Sequence, residues 1–260
     1  MQIVTLTTDW GYRDQYIGQV KAMLYSTIDN VNVVDISHSI EQYNLSETAF
    51  VVKNACMNFP EGTIHIIDVD SYEDINNAFI AVKCDKQYFI CTDNGVPSIV
   101  FRDKEVEIVE INLFSESNFY TFAALDLFVK VTKNIAESHT LQHVGIAKED
   151  FVKKIPQVYP IITEDYISVE VIHIDKYGNA FLNITDEEFC RIRNGRKFSI
   201  RIGKDINITR LSQSYSDAGS KDEALLTVSS IGYLQFAVRE GNAARLRNLK
   251  VGSNIRIDLA

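Results

Sequence analysis

The chain opens with the stretch IVTLTTDWGYRD at residues 3–14, which indicates the class of fold. The apolar and β-branched run at residues 3–7 predicts a strand, and apolar residues at helical spacing over residues 15–26 predict a helix. The loop between them has one glycine and two carboxylates, Asp9 and Asp14, so it is not a glycine-rich loop that cradles phosphate. Carboxylates in this position can instead accept hydrogen bonds from ribose hydroxyls or neutralise a cation.

The alternation of strand and helix continues through the first half of the chain. Strand patterns at residues 31–36 and 63–69 flank a helix whose start matches a capping box at Asn44. Residues 78–92 predict a β-hairpin, and residues 122–135 predict a last helix. This order of elements predicts an α/β N-terminal domain with a mostly parallel sheet covered on both faces.

The pattern changes after Tyr166 to short strands, with one short helix signal at residues 186–193. The strands are predicted at residues 167–174, 198–202, 224–228, 233–238 and 255–259. They indicate a smaller all-β C-terminal domain that resembles a barrel. We therefore predict an α/β ligand-binding domain at residues 1–150, a linker at 151–165 with two of the four prolines, and the all-β domain at 166–260.

Composition limits the classes of partner. The formal net charge of −9 argues against a surface for nucleic acid or anionic membranes, which requires clustered Lys and Arg. No apolar run approaches the roughly 20 residues that span a bilayer, and the first residues do not have the pattern of a signal peptide. Four scattered cysteines without a CxxC pair indicate buried thiols. We expect a cytoplasmic protein that binds neither nucleic acid nor membrane.

Several aspartates follow predicted strands, where ligands of open α/β sheets bind. They are Asp9, Asp35, Asp68, Asp70 and Asp93. A single aspartate after a strand is usually a helix cap, and Asp14 could cap the helix that follows it. Five carboxylates at one edge would repel one another unless a cation or hydroxyl groups compensate them. Two ligands would satisfy this cluster: a divalent metal, as in Asp-based phosphatases, or an organic cation that carries a diol.

The five histidines favour structural roles. His38, His65 and His173 lie within or beside predicted strands. The spacing of His139 and His143 could place two metal ligands on one helix face, but neither the glutamate of the zinc-protease motif nor a third ligand follows. We expect no metal.

Sequence motifs along nearly the whole chain occur together in one order. They read LTTDWG at 6–11, VVDISH at 33–38, FPEGT at 59–63, DNG at 93–95, IDKYGN at 174–179, SSIGYL at 229–234 and GNA at 241–243. In this order they resemble the SAM hydroxide adenosyltransferase family, which is related to the SAM-dependent fluorinase and chlorinase. The resemblance implies an N-terminal α/β domain, a C-terminal β-barrel, and S-adenosylmethionine (SAM) as substrate. It also implies a homotrimer whose nucleoside sites lie between one subunit's first domain and its neighbour's second.

The resemblance also implies a set of ligand-site residues. They are Asp9, Asp14, Tyr43, Asp68, Phe122, Asp175, Asn179 and Ser230. By this resemblance Asp9 holds the ribose hydroxyls and Tyr43 walls the ligand. Asp175 takes the methionine ammonium, Asn179 contacts adenine, and Ser230 lies near the methionine carboxylate.

The sequence departs from the hydroxide-transferring members at the residues that handle water. Their TFHGRD segment corresponds to TFAALD at residues 121–126, so Ala123 replaces a histidine. They also have an arginine after the third strand, whereas no arginine occurs between Asp68 and Arg102. Asp68 therefore remains as the candidate catalytic base, with Asp70 and Glu73 as local substitutes for the missing groups. These features predict slow hydrolysis of SAM at the ribose C5′ carbon, giving adenosine and methionine.

Two alternatives stay open at this level. One is a non-catalytic protein that binds SAM or adenosine, and the other is a metal-dependent phosphohydrolase that uses the aspartate cluster. Halide transfer is disfavoured because the charges of Asp68 and Asp70 would repel an anion.

Overall fold

The computed structural model describes residues 1–72, 77–113, 121–153, 158–202 and 206–260. The chain divides into two compact units, Met1–Pro156 and Gln157–Ala260. Among the described residues, no helix has the length and apolar content to cross a membrane.

The first unit alternates strands and helices. Its strands are β1 (Gln2–Thr8), β2 (Val31–Ser37), β3 (Ile64–Asp68), β4 (Phe79–Cys84), β5 (Gln87–Thr92), β6 (Val106–Ile111) and β7 (Gly145–Ala147). Its α-helices are α1 (Tyr16–Thr27), α2 (Leu45–Ala55), α3 (Val96–Val100) and α4 (Val129–Ser138). A 3₁₀ turn, Cys56–Asn58, follows α2, and a π-helical turn, Ala124–Phe128, precedes α4.

The sheet of the first unit is mixed, which corrects the prediction of a mostly parallel sheet. The strand order is β2-β1-β3-β5-β4-β6-β7. The pairs among β2, β1, β3 and β5 are parallel, and those from β5 through β4 and β6 to β7 are antiparallel. The β4–β5 hairpin turns through Asp85 and Lys86, whose φ angles of 47° and 64° are the left-handed values of a tight hairpin. This turn reverses the chain at once, so β4 runs antiparallel to β5, and β6 also pairs antiparallel with β4.

Apolar residues cover both faces of this sheet. On one face, Val4 and Leu6 of β1 belong to a buried cluster that includes residues of α1 and α4. On the other, Ile67 of β3 packs with residues of α2 and α3, such as Val52 and Val96. The side chains alternate between the two clusters because successive strand residues point to opposite faces.

The observed helix ends agree only in part with those predicted from the sequence. The Asn44 side chain caps α2 by accepting a hydrogen bond from the Glu47 amide at 3.0 Å, but Glu47 Oε2 accepts from the Glu41 amide, so only half of the predicted capping box forms. The N-cap of α1 is Gln15 rather than Asp14, and it makes no side-chain capping hydrogen bond. His139 ends α4 with a left-handed φ of 54°, so His139 and His143 do not share a helix face.

The second unit is rich in β-structure. Its strands are β8 (Ile161–Ile162), β9 (Tyr166–Ile174), β10 (Ala180–Thr185), β11 (Phe198–Ile202), β12 (Ile206–Ile208), β13 (Leu211–Ser212), β14 (Ala224–Val228), β15 (Tyr233–Val238) and β16 (Asn254–Leu259). Its helices are α5 (Asp186–Arg193), α6 (Ala243–Arg247) and a 3₁₀ turn, Tyr215–Asp217. The order β12-β11-β16-β9-β10-β15-β14-β13 forms a curled, partly barrel-like sheet around one buried core.

The sequence predicted α5 with its observed bounds, and a capping box joins Thr185 and Glu188 at its start. It missed α6, whose five residues are too short for a periodic signal. Three of the four cysteines are buried, but Cys190 is exposed on α5, which corrects the expectation that all four are buried.

Candidate functional site

A cavity of about 440 Å³ lies at the carboxyl ends of β1 and β3. The strands that follow β1 in sequence, β2 and β3, lie on its two sides, so the cavity occupies the point where strand order reverses. Ligands of open α/β sheets bind at such points. The predicted first-unit residues that line it are Asp9, Asp14, Tyr43, Asp68 and Phe122.

Asp68 is a buried carboxylate that lines this cavity. It ends β3 in register with Thr8 of the neighbouring strand, so the next residue, Asp9, lies beside it. Asp68 is only 6% exposed, and its Oδ2 accepts a hydrogen bond from Trp10 Nε1 at 2.7 Å. Burial raises the pKa of Asp68 to about 6, with a further rise from the charge of Asp9, while hydrogen bonds from Ser71 and Trp10 oppose it. The carboxyl can therefore change protonation state near neutral pH.

Aromatic rings form the wall beside Asp68. Trp10 packs edge-to-face against Phe122, with ring centroids 5.1 Å apart, and Phe122 packs in the same manner against Tyr16 at 5.0 Å. Behind the indole, the ring of His38 stacks on Trp10 at 5.8 Å. The cavity thus combines carboxylates with aromatic surface, a pairing suited to a cationic or hydroxylated ligand with an aromatic base.

Asp9 and Tyr43 meet at the mouth of the cavity. The Tyr43 amide donates to Asp9 Oδ2 at 3.3 Å. Tyr43 is 70% exposed and has a left-handed φ of 63°, so its ring stands at the surface. Asp14 is also exposed, and no described residue hydrogen-bonds to its side chain. The oxygens of Asp9 and Asp14 are therefore available to a ligand.

Two of the five predicted carboxylates do not line this cavity. Asp35 pairs with Lys21 at 2.7 Å and approaches His38 Nε2 at 3.1 Å, although the His38 contact lacks hydrogen-bond geometry. Burial would raise the pKa of Asp35, but its hydrogen bond from Lys21 and its close approach to His38 hold the pKa below its usual value. The prediction that all five carboxylates converge is therefore wrong for Asp35.

Asp93 is fully buried, and its side chain makes contacts within the first unit. Its Oδ1 accepts from the Val152 amide at 2.9 Å, and Lys148 Nζ lies 3.5 Å from Oδ2 without a formed hydrogen bond. Burial raises the pKa of Asp93. Its position after an antiparallel hairpin strand, two strands away from β1, separates it from the cavity.

Two histidines have the structural roles that the sequence favoured. His38 Nδ1 lies 2.7 Å from the Thr8 hydroxyl. His65 bridges Thr5 at 2.7 Å and Gln87 at 2.9 Å, and burial lowers the pKa of His65 to about 4. Both are buried away from the cavity surface.

The second unit has its own cavity, of about 840 Å³. It is lined by the three residues predicted for this unit, Asp175, Asn179 and Ser230. Sequence reasoning missed several polar residues of this lining: Tyr177, Tyr215, Gln235, Glu240 and Asn242. Of these, Tyr177 and Asn242 stand inside or beside the IDKYGN and GNA motifs, which could have signalled them.

Asp175 organises the turn in which it lies. Its Oδ1 accepts from the amides of Tyr177 at 3.0 Å and Asn179 at 2.9 Å. Its Oδ2 accepts from Asn179 Nδ2 at 2.9 Å and from Gln235 Nε2 at 3.5 Å. The contact with Gln235 is the longest of these four.

The described residues include no group of three or more His, Cys, Asp or Glu side chains that could hold a metal ion. The carboxylates of the first cavity instead face aromatic rings and open space. This arrangement defines an α/β protein with an accessory β-rich unit and a cavity lined by carboxylates and aromatic rings.

The chain belongs to the SAM hydroxide adenosyltransferase family. Residues 4–145 match the N-terminal domain of this family and residues 169–256 match its C-terminal domain. The resemblance drawn from the sequence motifs is thereby confirmed, and with it membership of a group that uses SAM in adenosyl transfer.

Named relatives share low identity over nearly full length. The chain is 24% identical to the (R)-S-adenosyl-L-methionine hydrolase of Methanocaldococcus jannaschii, covering 99% of this chain and 96% of that protein. It is 23% identical to a fluorinase of Actinopolyspora mzabensis, covering 98% and 96%. A solved structure of an uncharacterized conserved protein from Thermotoga maritima superposes with a TM-score of 0.88 at 27% identity, covering 98% of this chain and 99% of that one.

Proposed function

We propose that this protein hydrolyses SAM at the ribose C5′ carbon to give adenosine and methionine, and that turnover is slow. The observation that supports this reaction most directly is Asp68: a buried carboxylate beside Asp9, in a cavity at the strand switch point. Family membership supplies the substrate class.

The reaction needs an oxygen nucleophile behind C5′ rather than a strong acid. The oxygen of water forms the new C5′–O bond, the C5′–S bond breaks, and its electron pair stays on sulfur to give the methionine thioether. The sulfonium is a good leaving group, so the protein must chiefly position the water and remove its proton. Asp68 would accept that proton.

The protonation of Asp68 suits this role. With a pKa of about 6, the carboxyl is largely ionised at neutral pH yet basic enough to share a proton with water. Asp70 lines the same cavity and could assist. Glu73, the other substitute considered from the sequence, lies outside the described residues.

The remaining residues would hold the substrate. Asp9 has an oxygen free of strong internal hydrogen bonds to accept from the ribose diol, since its contact with the Tyr43 amide is long. We propose that Asp175, Asn179 and Ser230 take the amino-acid and adenine ends, in a homotrimer where a neighbouring copy supplies them.

Chromatographic assay of adenosine formation, corrected for spontaneous breakdown of SAM, tests the reaction. We expect wild-type protein to form adenosine above background. The Asp68→Asn variant keeps the shape of the side chain but cannot accept the proton, so we expect activity to fall by about 100-fold or more, while SAM still binds. Activity that survives in this variant would move the base to another residue, with Asp70→Asn the next variant to assay.

A second candidate function is non-catalytic binding of SAM or adenosine. It is favoured by Ala123, which lines the cavity at the position where the hydroxide-transferring members have a histidine. Protein that binds SAM tightly but forms no adenosine above background would replace hydrolysis with this function.

A further inference from the structure

We propose that the indole N–H of Trp10 orients the Asp68 carboxylate and so makes Trp10 a positioning residue for the base. This inference rests on the proposed function for its catalytic consequence, but the contact between the two side chains can be tested without turnover.

The contact itself is short and directional. Trp10 Nε1 donates to Asp68 Oδ2 at 2.7 Å, the length of a strong hydrogen bond to a charged acceptor. Among the described side chains, the other hydrogen-bond partner of this carboxyl is Ser71, whose hydroxyl lies 3.0 Å from that of Thr92. The indole therefore provides a fixed donor to one oxygen of the carboxyl.

The indole cannot easily turn away, because its ring is packed on two sides. His38 stacks against it with an interplanar angle of 20°, and Phe122 meets it edge-on at 73°. The imidazole is itself anchored by the Thr8 hydroxyl at 2.7 Å, and the carbonyl of His38 accepts from the Gly11 amide at 2.7 Å. This chain of contacts fixes the direction of the N–H.

The position is significant because the usual water-handling groups are absent from this sequence. Ala123 cannot donate or accept a hydrogen bond through its side chain, and no arginine stands between Asp68 and Arg102. In their absence, we assign part of the ordering of this site to the rigid indole N–H, which holds the base in one orientation.

Several charged groups share the surroundings of Asp68. Asp9 lies beside it and raises its pKa, whereas Asp14 and Asp70 line the same cavity. His38 stands behind the indole, and burial lowers the pKa of this histidine, so it is neutral at neutral pH. Any pH dependence of the indole must therefore be separated from that of Asp9 by mutation.

The sequence offers an unusually clean probe, since Trp10 is the single tryptophan of the chain. In protein labelled with ¹⁵N, one indole cross-peak reports this N–H. We expect the cross-peak to titrate with a midpoint near pH 6, where Asp68 changes charge. We also expect Asp68→Asn to abolish the titration and Asp9→Asn to lower its midpoint. The matched control is Tyr12→Leu, which alters the edge-on contact with His38 but leaves the indole and carboxylate untouched.

The kinetic arm uses Trp10→Phe, which keeps an aromatic ring and removes the N–H. We expect kcat for adenosine formation to fall about tenfold with little change in KM, and the acid limb of the pH profile to move up by roughly one unit. Retained melting temperature would show that folding is intact.

Three results would decide against this role. An indole cross-peak that does not titrate, or one that titrates unchanged in Asp68→Asn, would contradict the hydrogen bond between Trp10 and Asp68. A Trp10→Phe variant with wild-type kcat and pH profile would remove the positioning role. Protein that forms no adenosine would instead overturn the proposed function, and the indole titration would then decide by itself whether Trp10 sets the state of Asp68.

Discussion

Burial of a single carboxyl connects the stability of this protein to its chemistry. Asp68 is nearly inaccessible, and desolvation disfavours its charged form. Keeping it ionised at neutral pH therefore costs folding free energy. Active sites commonly carry such a cost, because a group that is poised for proton transfer is not in its most stable environment.

The cost predicts how stability depends on pH. The folded-state pKa of Asp68, about 6, exceeds its unfolded value of 3.8, so its stabilising contribution is complete below pH 4 and is lost as pH rises through 6. Asp68→Asn has no such ionisation. We expect its free energy of unfolding, relative to wild type, to increase by on the order of 2–3 kcal/mol between pH 4 and 7.5.

Urea denaturation at several pH values measures this difference. Asp29→Asn, which removes an exposed carboxylate on the first unit, is the matched control and should show little pH-dependent change. A constant difference between Asp68→Asn and wild type across this range would contradict the raised pKa.

Asp175 illustrates a residue with two roles, one in the turn and one proposed for the ligand. Replacement by alanine would remove acceptors for the amides of Tyr177 and Asn179 and disturb the turn itself. Asp175→Asn retains an oxygen for those amides and removes the charge. We expect this variant to weaken SAM binding by about tenfold, since the ammonium loses its counter-charge, and to weaken adenosine binding much less.

Isothermal titration with both ligands tests the assignment. Equal losses for SAM and adenosine in Asp175→Asn would show that the charge does not recognise the ammonium. Gln235→Ala serves as a comparison, because it removes the long contact to Asp175 Oδ2 without changing the charge.

At the scale of elements, the turn after β9 depends on one glycine. Gly178 has a left-handed φ of 85°, and a Cβ there would collide with the side chain of Asn242. Asn242 in turn caps α6 by accepting from the Arg245 amide at 2.7 Å, and the Gly178 carbonyl accepts from the Ala244 amide. The turn and α6 are therefore packed together at the edge of the second cavity.

Gly178→Ala should destabilise the second unit by roughly 2–4 kcal/mol, from the strained φ and the collision together. Gly195→Ala is the matched control, because Gly195 has a similar φ of 78° and a Cβ added there would meet no atom within 4 Å. We expect the control to lose only about 1 kcal/mol. Equal losses in thermal denaturation would show that Asn242 moves aside without cost.

In the first unit, a π-helical turn before α4 lies close to the cavity. It spans Ala124–Phe128, immediately after Phe122 and Ala123, which line the cavity. A π turn adds one residue to a helical turn and is frequent at functional sites. The sequence predicted an uninterrupted helix over residues 122–135 because apolar spacing alone does not distinguish a local π turn from an α-helix.

At the scale of the whole molecule, the ligand-site residues occur in two units, each with its own cavity. We predict a homotrimer in solution, in which neighbouring copies complete each site. Light scattering at micromolar protein measures the mass, and a monomer would contradict the prediction. SAM should also raise the melting temperature of the oligomer by mass action, and Asp9→Ala should reduce that shift because the ribose diol loses its acceptor.

The sequence by itself determined the family, the change from α/β to β-rich structure, and the approximate bounds of several elements, such as β1, α2 and α5. Ordered motifs, apolar periodicity and caps such as Asn44 are local features, so they can be recognised in the sequence without knowledge of the fold. Loops after strands also indicated Asp9, Asp68 and Asp70 of the first cavity, because such loops lie at an edge of the sheet. The family motifs indicated Asp175, Asn179 and Ser230 of the second cavity.

Only the tertiary structure decided how the carboxylates are divided. Asp9, Asp35, Asp68 and Asp93 look alike along the chain, since each lies in, ends or follows a strand. Strand order places Asp68 beside Asp9 and Asp93 two strands away from β1. Asp35 instead forms an ion pair with Lys21. The same long-range packing brings the Trp10 indole to Asp68, across 58 positions of sequence. Charge state and hydrogen-bond partners depend on such non-local neighbours, which no local pattern encodes.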